Sequence, residues 1–72
     1  MKLPRDISGD QAVRALIRLG FEHQRQTGSH VILRKENRTV VVPMHRPIKA
    51  GTLKGLMEQA DVSLKEFRKH IR

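Results

Sequence analysis

Two tight turns in the middle of this 72-residue chain constrain its fold more than any other feature. Gly28-Ser29 forms the first turn, and residues 36–38 form the second. They separate three short runs with alternating or β-branched side chains, at residues 21–27, 30–35 and 39–44. Short strands joined by tight turns pair with their neighbours along the chain, so the sequence predicts a three-stranded antiparallel sheet.

Helical patterns flank the predicted sheet on both sides. Ser8 begins a capping box, which predicts a helix over about residues 9–19. Apolar spacing predicts a second helix over about residues 50–60, and Ser63 caps a short third helix. The order predicts an α+β fold, a two-layer α-β-β-β-α domain with helices on one face of the sheet and a short extra C-terminal helix. The expected core comprises Val13, Leu16, Ile17, Phe21, Val31, Leu33, Val40, Val42, Leu53, Leu56, Met57 and Phe67.

The charge balance points to an anionic partner. The chain has 15 Lys and Arg against 7 Asp and Glu, a formal net charge of +8. A single domain spanning residues 1–72 is expected from the length, and its surface is strongly basic. Only two aromatic side chains are present, Phe21 and Phe67, and both are expected in the core. Recognition of a nucleic-acid backbone therefore fits the composition better than stacking on unpaired bases.

Composition also excludes several classes of protein. There is no cysteine, which rules out disulfides and thiolate metal sites. The longest apolar runs have three residues, far short of the roughly 20 needed to cross a membrane. Residues 1–5 contain no apolar segment typical of a signal peptide, so we expect a cytoplasmic protein without a membrane partner.

His30 is the strongest candidate for chemistry. It follows the Gly28-Ser29 turn and precedes the apolar run of residues 31–33. Imidazole is the side chain best suited to move protons near neutral pH. Placed on a basic protein, it suggests that the chain holds a nucleic-acid backbone and cuts it. The alternative is a histidine that only satisfies the turn at the start of a strand.

Basic residues surround the start of the second predicted helix. Arg46, Lys49 and Lys54 flank a helix N-terminus, where free N–H groups attract phosphate. Their alternative role is a solvated charged face. His45, in the same loop, is a candidate second proton carrier beside Lys49 and Lys54, although a solvated loop histidine is the simpler interpretation. Further cations that would extend a groove along the sheet are Arg25, Arg34, Lys35 and Arg38.

Five segments occur together in an informative order: Leu19-Gly20-Phe21, residues 25–30 (Arg-Gln-Thr-Gly-Ser-His), residues 41–45 (Val-Val-Pro-Met-His), residues 48–54 (Ile-Lys-Ala-Gly-Thr-Leu-Lys) and Gln59-Ala60. In this combination they resemble the HicA toxin family, small bacterial and archaeal ribonuclease toxins with a double-stranded-RNA-binding-domain-like (dsRBD-like) fold. The resemblance extends from about Asp10 to Phe67. Three positions depart from the family pattern. Val31 replaces a second aromatic or histidine, Lys54 replaces an arginine, and Asp61 replaces a glycine.

The resemblance implies the toxin of a type II toxin–antitoxin system, acting as a metal-independent mRNA endoribonuclease (an mRNA interferase) without a cofactor. His30 would be its catalytic histidine, taking the proton from a ribose 2′-OH that then attacks the adjacent phosphate. Gly28 would let the RNA backbone approach closely, and Ser29 would donate a hydrogen bond to phosphate. A HicB-like antitoxin protein would be the partner that covers the active site.

Two other functions are compatible with the same residues. A non-catalytic double-stranded-RNA-binding module would keep the fold and the basic face, with His30 as a phosphate contact. A DNA-binding or purely protein-interacting domain would also use the positive charge. Loss of RNA cleavage in a His30 variant separates an enzyme from the first, and a salt titration with RNA and DNA separates the others.

Overall fold

The computed structural model describes residues 6–71 and confirms the predicted α+β arrangement. The sheet is antiparallel with strand order β1-β2-β3, so β2 is central. Three strand boundaries differ from the prediction by one residue: β1 begins after the buried Phe21, and β3 begins at Arg38 and ends at Pro43. The signal-peptide expectation for residues 1–5 lies outside the described residues. The elements are α1 (Gly9–Arg18), β1 (Glu22–Thr27), β2 (His30–Lys35), β3 (Arg38–Pro43), α2 (Ala50–Ala60) and α3 (Leu64–Lys69).

Local signals in the sequence explain where α1 begins and ends. The Ser8 hydroxyl accepts a hydrogen bond from the Gln11 N–H (3.1 Å), and the Gln11 side chain accepts one from the Ser8 N–H (2.9 Å). This is the predicted capping box. Gly20 follows the helix with φ 105°, a conformation that L side chains rarely adopt, and so ends it as expected.

The two faces of the sheet have different environments. Val31 and Leu33 of β2 and Val40 and Val42 of β3 are buried against the helices. Side chains alternate along a strand, so the residues between these four lie on the opposite face. We call this opposite surface the outer face. Its three cross-strand rows are Thr27–His30–Pro43, Arg25–Ile32–Val41 and Glu22–Arg34–Thr39.

One predicted core residue is exposed. Ile17 retains 45% of its surface, whereas the neighbouring Leu16 retains 1%. The buried side of α1 is rotated toward Ala12 and Ala15, which are both fully buried. Small side chains allow the helix to approach the core closely, and Ile17 is left at the margin. The buried core contains Ile7, Ala12, Val13, Ala15, Leu16, Phe21, Val31, Leu33, Val40, Val42, Ile48, Leu53, Leu56, Met57, Ala60 and Phe67.

Asp61 ends α2 in the left-handed conformation, with φ 55° and ψ 44°. Glycine adopts this conformation most easily, and aspartate is one of the few L residues that tolerate it. This explains why Asp61 stands where the resembling family has glycine. The carboxylate also lies 3.4 Å from the Arg38 guanidinium, in an exposed ion pair.

Within residues 6–71, no helix is both long enough and apolar enough to cross a membrane.

Candidate active site

His30 is held at one end of the sheet by the main chain around it. It is the first residue of β2, and its side chain is exposed. Gly28 occupies the preceding turn with φ 57°, which favours glycine. The carbonyl of Ser29 accepts a hydrogen bond from the Met44 N–H at 2.6 Å. This bond places the turn before His30 directly beside the segment that follows β3.

The loop that carries His45, residues 44–49, is fixed to the residues at the start of α1. The Gly9 N–H donates to the His45 carbonyl at 2.9 Å, and the Ile48 N–H donates to the Ile7 carbonyl at 2.8 Å. The Ile48 side chain is buried in the core, with 6% exposed. The loop is therefore attached at both its beginning and its end, and His45 has a defined position.

Gly9 is needed where the loop passes α1. A Cβ atom at this position would lie 2.6 Å from the Pro43 carbonyl oxygen and 2.7 Å from the Met44 Cα. Both neighbours are backbone atoms, which cannot yield as the end of a flexible side chain can. Glycine at this position lets the loop pack directly on the first turn of the helix.

The N-terminus of α2 differs from those of the other two helices. Ser8 and Ser63 cap α1 and α3 with side-chain hydrogen bonds. By contrast, α2 begins after Lys49, whose side chain makes no capping bond, and its first turn contains no acidic residue. The first N–H groups of α2 are thus left without a side-chain cap, beside a positive charge. A helix end of this kind attracts a phosphate.

One hollow, of about 530 Å³, brings these features together at the end of the sheet. We call it the histidine hollow. Three of its lining residues, His30, His45 and Lys49, were candidates from the sequence. Thr52 was not, although it lies in the Gly-Thr-Leu segment that carried the resemblance. The histidine hollow is lined by His30, Pro43, His45, Pro47, Ile48, Lys49 and Thr52.

The other predicted site residues lie elsewhere. Arg46 is exposed in the loop and does not line the histidine hollow, and its peptide bond to Pro47 is cis. Gly28 and Ser29 form the turn before His30 and are exposed.

Lys54 lines a separate, larger hollow between α2 and α3, whose other charged residues are the acids Glu58 and Asp61. Acidic side chains repel phosphate, so the larger hollow is the poorer candidate for nucleic acid. Arg25 lies on the outer face.

Two cations proposed to extend a groove have partners within the fold. Lys35 Nζ donates to the Leu19 carbonyl at 3.0 Å and lies 5.9 Å from the centre of the Phe21 ring. Arg38 contacts the Gln59 carbonyl at 3.5 Å and the Asp61 carboxylate at 3.4 Å. Both side chains lie on the helix side of the sheet, and that placement takes them away from the outer face.

Metal-binding residue types do not cluster in this structure. In the part of the chain that is described, no three His, Cys, Asp or Glu side chains lie close enough to hold a metal ion. The histidine hollow brings two imidazoles together beside a lysine and an uncapped helix end. Groups of these kinds can transfer protons to and from a phosphate ester and stabilise its negative charge.

Comparison with known proteins found one family match. The family model described as the HicA toxin of bacterial toxin–antitoxin systems matches residues 9–62. The chain matches none of the individual curated proteins with which it was compared. The family match includes every element from α1 to α2, and with them the whole lining of the histidine hollow. The chain therefore belongs to the HicA toxin family of bacterial toxin–antitoxin systems.

Proposed function

We propose that this toxin is an endoribonuclease that cleaves mRNA in the histidine hollow, with His30 as the general base. The observation that supports this most directly is that His30 and His45 line one hollow at the uncapped start of α2. One imidazole accepts a proton and another donates one, so a histidine pair supplies both transfers that RNA cleavage needs.

In the proposed reaction, His30 takes the proton from a ribose 2′-OH, and the 2′-oxygen attacks the adjacent phosphorus. The bond from phosphorus to the 5′-oxygen breaks, and His45 gives its proton to that oxygen. The products are a 2′,3′-cyclic phosphate end and a free 5′-OH end. A metal ion has no part in these steps, since the 2′-oxygen is the nucleophile and the two imidazoles carry the protons.

Charge in the transition state develops on the non-bridging phosphate oxygens. In this mechanism Lys49 and the first N–H groups of α2 stabilise them. The support for these roles is that Lys49 lines the histidine hollow and that the start of α2 has no side-chain cap. Arg46, exposed in the adjoining loop, adds positive charge near the RNA backbone. Ser29 donates a hydrogen bond to a neighbouring phosphate, and Gly28 leaves room for it, since an added Cβ there meets nothing within 4 Å.

The test compares His30→Ala with His23→Ala, a matched change of an exposed histidine on β1. Purified proteins are incubated with single-stranded and structured RNA in EDTA, and the ends of the products are identified. We expect His30→Ala to slow cleavage by about 10²–10⁴-fold, the usual contribution of a general base, and His23→Ala to cleave like the wild type.

Two outcomes contradict the proposal. Equal cleavage by wild type and His30→Ala would remove the catalytic assignment, and loss of wild-type activity in EDTA would remove the metal-independent mechanism. A protein that binds RNA, never shortens it and binds slightly less well as His30→Ala would instead be a double-stranded-RNA-binding module.

As a member of a toxin–antitoxin family, the chain has an antitoxin as its expected partner. We propose a HicB-like protein with an acidic surface that covers the histidine hollow in the cytoplasm. The net charge of +8 favours fast association with such a surface. Addition of the purified antitoxin should stop RNA cleavage at a one-to-one ratio, and cleavage that continues in the complex would contradict this placement.

A further inference from the structure

The outer face of the sheet carries cations that the fold does not use. Within residues 6–71, the side chain of Arg25 makes no hydrogen bond or ion pair. Arg34 donates from Nε to the Glu36 carbonyl at 3.0 Å, and this bond leaves its two terminal nitrogens for other acceptors. Both guanidinium groups line one shallow hollow with Gln24, Ile32 and Thr39. These arginines differ from Lys35 and Arg38, whose charges are engaged on the helix side.

An apolar pair lies beside Arg25, between Arg34 and the histidine hollow. Ile32 and Val41 are direct cross-strand partners on the outer face, and Val41 retains 41% of its surface. Their row also contains Arg25. Val41, with the half-buried Ile32 beside it, thus forms a small apolar surface in the middle of a polar sheet face, which a flat apolar group can contact.

The outer face is continuous with the histidine hollow. His30 and Pro43 form the first row of the outer face and also line the histidine hollow. Ile32 lies two residues from His30, and Val41 lies two residues from Pro43, which is about 7 Å along each strand. Arg34 lies two residues beyond Ile32. A polymer whose reacting phosphate lies in the histidine hollow therefore meets this surface when it leaves along the strands.

We propose that the outer face binds the single-stranded RNA segment next to the cleaved bond. In this arrangement, which rests on the proposed function, Arg25 and Arg34 bind its phosphates, and Ile32 and Val41 contact the faces of its bases. Guanidinium planes stack on unpaired bases, and aliphatic side chains pack against the faces of unstacked bases. A duplex offers phosphates but hides its base faces, so the Ile32–Val41 pair would have nothing to contact.

Charge complementarity supports a polyanion on this surface. Glu22 is the only acidic residue in the three rows, and it lies in the row farthest from His30. Arg25 and Arg34 lie on the outer face, whereas Lys35 and Arg38 lie on the helix side, where they have partners. An RNA strand on this face would thus meet Arg25 first, and then the row in which Arg34 is the cross-strand neighbour of Glu22.

The test uses two RNA substrates with the same cleavable step, a dinucleotide that fills only the histidine hollow and an unstructured 12-nucleotide strand. Arg25→Gln combined with Arg34→Gln removes the two charges from the outer face. Lys65→Gln combined with Arg68→Gln removes two charges from the exposed side of α3 as the matched control.

We expect the outer-face double variant to lose at least about tenfold in kcat/KM on the long strand, as two charge-assisted contacts imply. Cleavage of the dinucleotide should stay unchanged, and the α3 control should match the wild type on both substrates. The slope of log affinity against log salt for the long strand should become shallower by about 1.4, or about 0.7 for each lost phosphate contact.

Val41→Thr keeps the β-branched shape. It should also lower the affinity for the long strand but not for the dinucleotide.

The outcomes distinguish this proposal from the proposed function. If wild type cleaves both RNAs and the outer-face variant cleaves the long strand normally, the outer-face proposal is wrong and the endoribonuclease stands. If no RNA is cleaved, the affinities of the wild type, the outer-face double variant and the α3 control for the long strand still test the outer-face proposal. Equal loss of duplex and single-strand binding would overturn the contact with base faces, and loss of antitoxin binding alone would assign the surface to that protein.

Discussion

His45 shares the histidine hollow with His30, and its proposed task is to protonate the 5′-oxygen that leaves. His45→Gln should slow cleavage of natural RNA by about 10²-fold, the lower range for loss of general acid catalysis. A substrate with a p-nitrophenyl leaving group on the 3′-phosphate of uridine needs no proton on that group. On this substrate, His45→Gln should react like the wild type while His30→Gln stays slow. If His45→Gln slows both substrates equally, His45 has another role.

Leu16 and Ile17 are neighbours on α1 whose environments the sequence does not distinguish. Leu16→Ala should lower the free energy of unfolding by about 2–5 kcal/mol because it leaves a cavity in the core. Ile17→Ala should change it by less than about 0.5 kcal/mol, as expected for an exposed site. Urea denaturation of both variants measures the difference. Equal losses would show that Ile17 is packed in solution.

At the scale of elements, α2 offers two glycines for a matched comparison. A Cβ added at Gly51 or at Gly55 meets nothing within 4 Å, so alanine fits at both. Each substitution should raise the free energy of unfolding by about 0.5–1 kcal/mol through better helix propensity. Only Gly51→Ala should slow cleavage, since its methyl group lies beside the N–H groups proposed to bind phosphate. Full activity in Gly51→Ala would mean that phosphate does not bind at the start of α2.

Elements with short-range signals were predicted correctly from the sequence. The Ser8 capping box, the glycine at position 20 and the Gly28-Ser29 turn depend on neighbouring residues, and each forms as expected. Ile17 was placed wrongly because alanines give little apolar signal, although Ala12 and Ala15 set the orientation of α1.

The site was predictable in part. His30 and the nearby His45 and Lys49 stood out by residue type and by resemblance, and the structure brings these three together. Their exact neighbours depend on bonds between distant parts of the chain, such as Gly9 to His45, which no local pattern encodes. Lys54 is close in sequence to Lys49 but lines another hollow, and the sequence does not show this separation.

At the scale of the whole molecule, the net charge of +8 is divided between cations that serve the fold and cations that face solvent. The logarithm of RNA affinity should fall linearly with the logarithm of salt concentration. Lys49→Gln should reduce the slope by about 0.7, the value for one single-strand phosphate. Lys35→Gln should leave the slope unchanged and lower stability, because its ammonium group already binds the Leu19 carbonyl. An equal change in slope for both variants would contradict this division of charge.

The loop of residues 44–49 is attached to the rest of the protein by main-chain atoms, through the bonds of Met44, His45 and Ile48. Peptide groups are the same whatever side chain they carry, so these attachments do not depend on the identity of residue 45. Libraries randomised at positions 45, 46 and 49, without proline, should consequently yield a high share of folded proteins. Selection for RNA cleavage among the folded members would then show which side chains can replace His45 and Lys49 in their proposed roles.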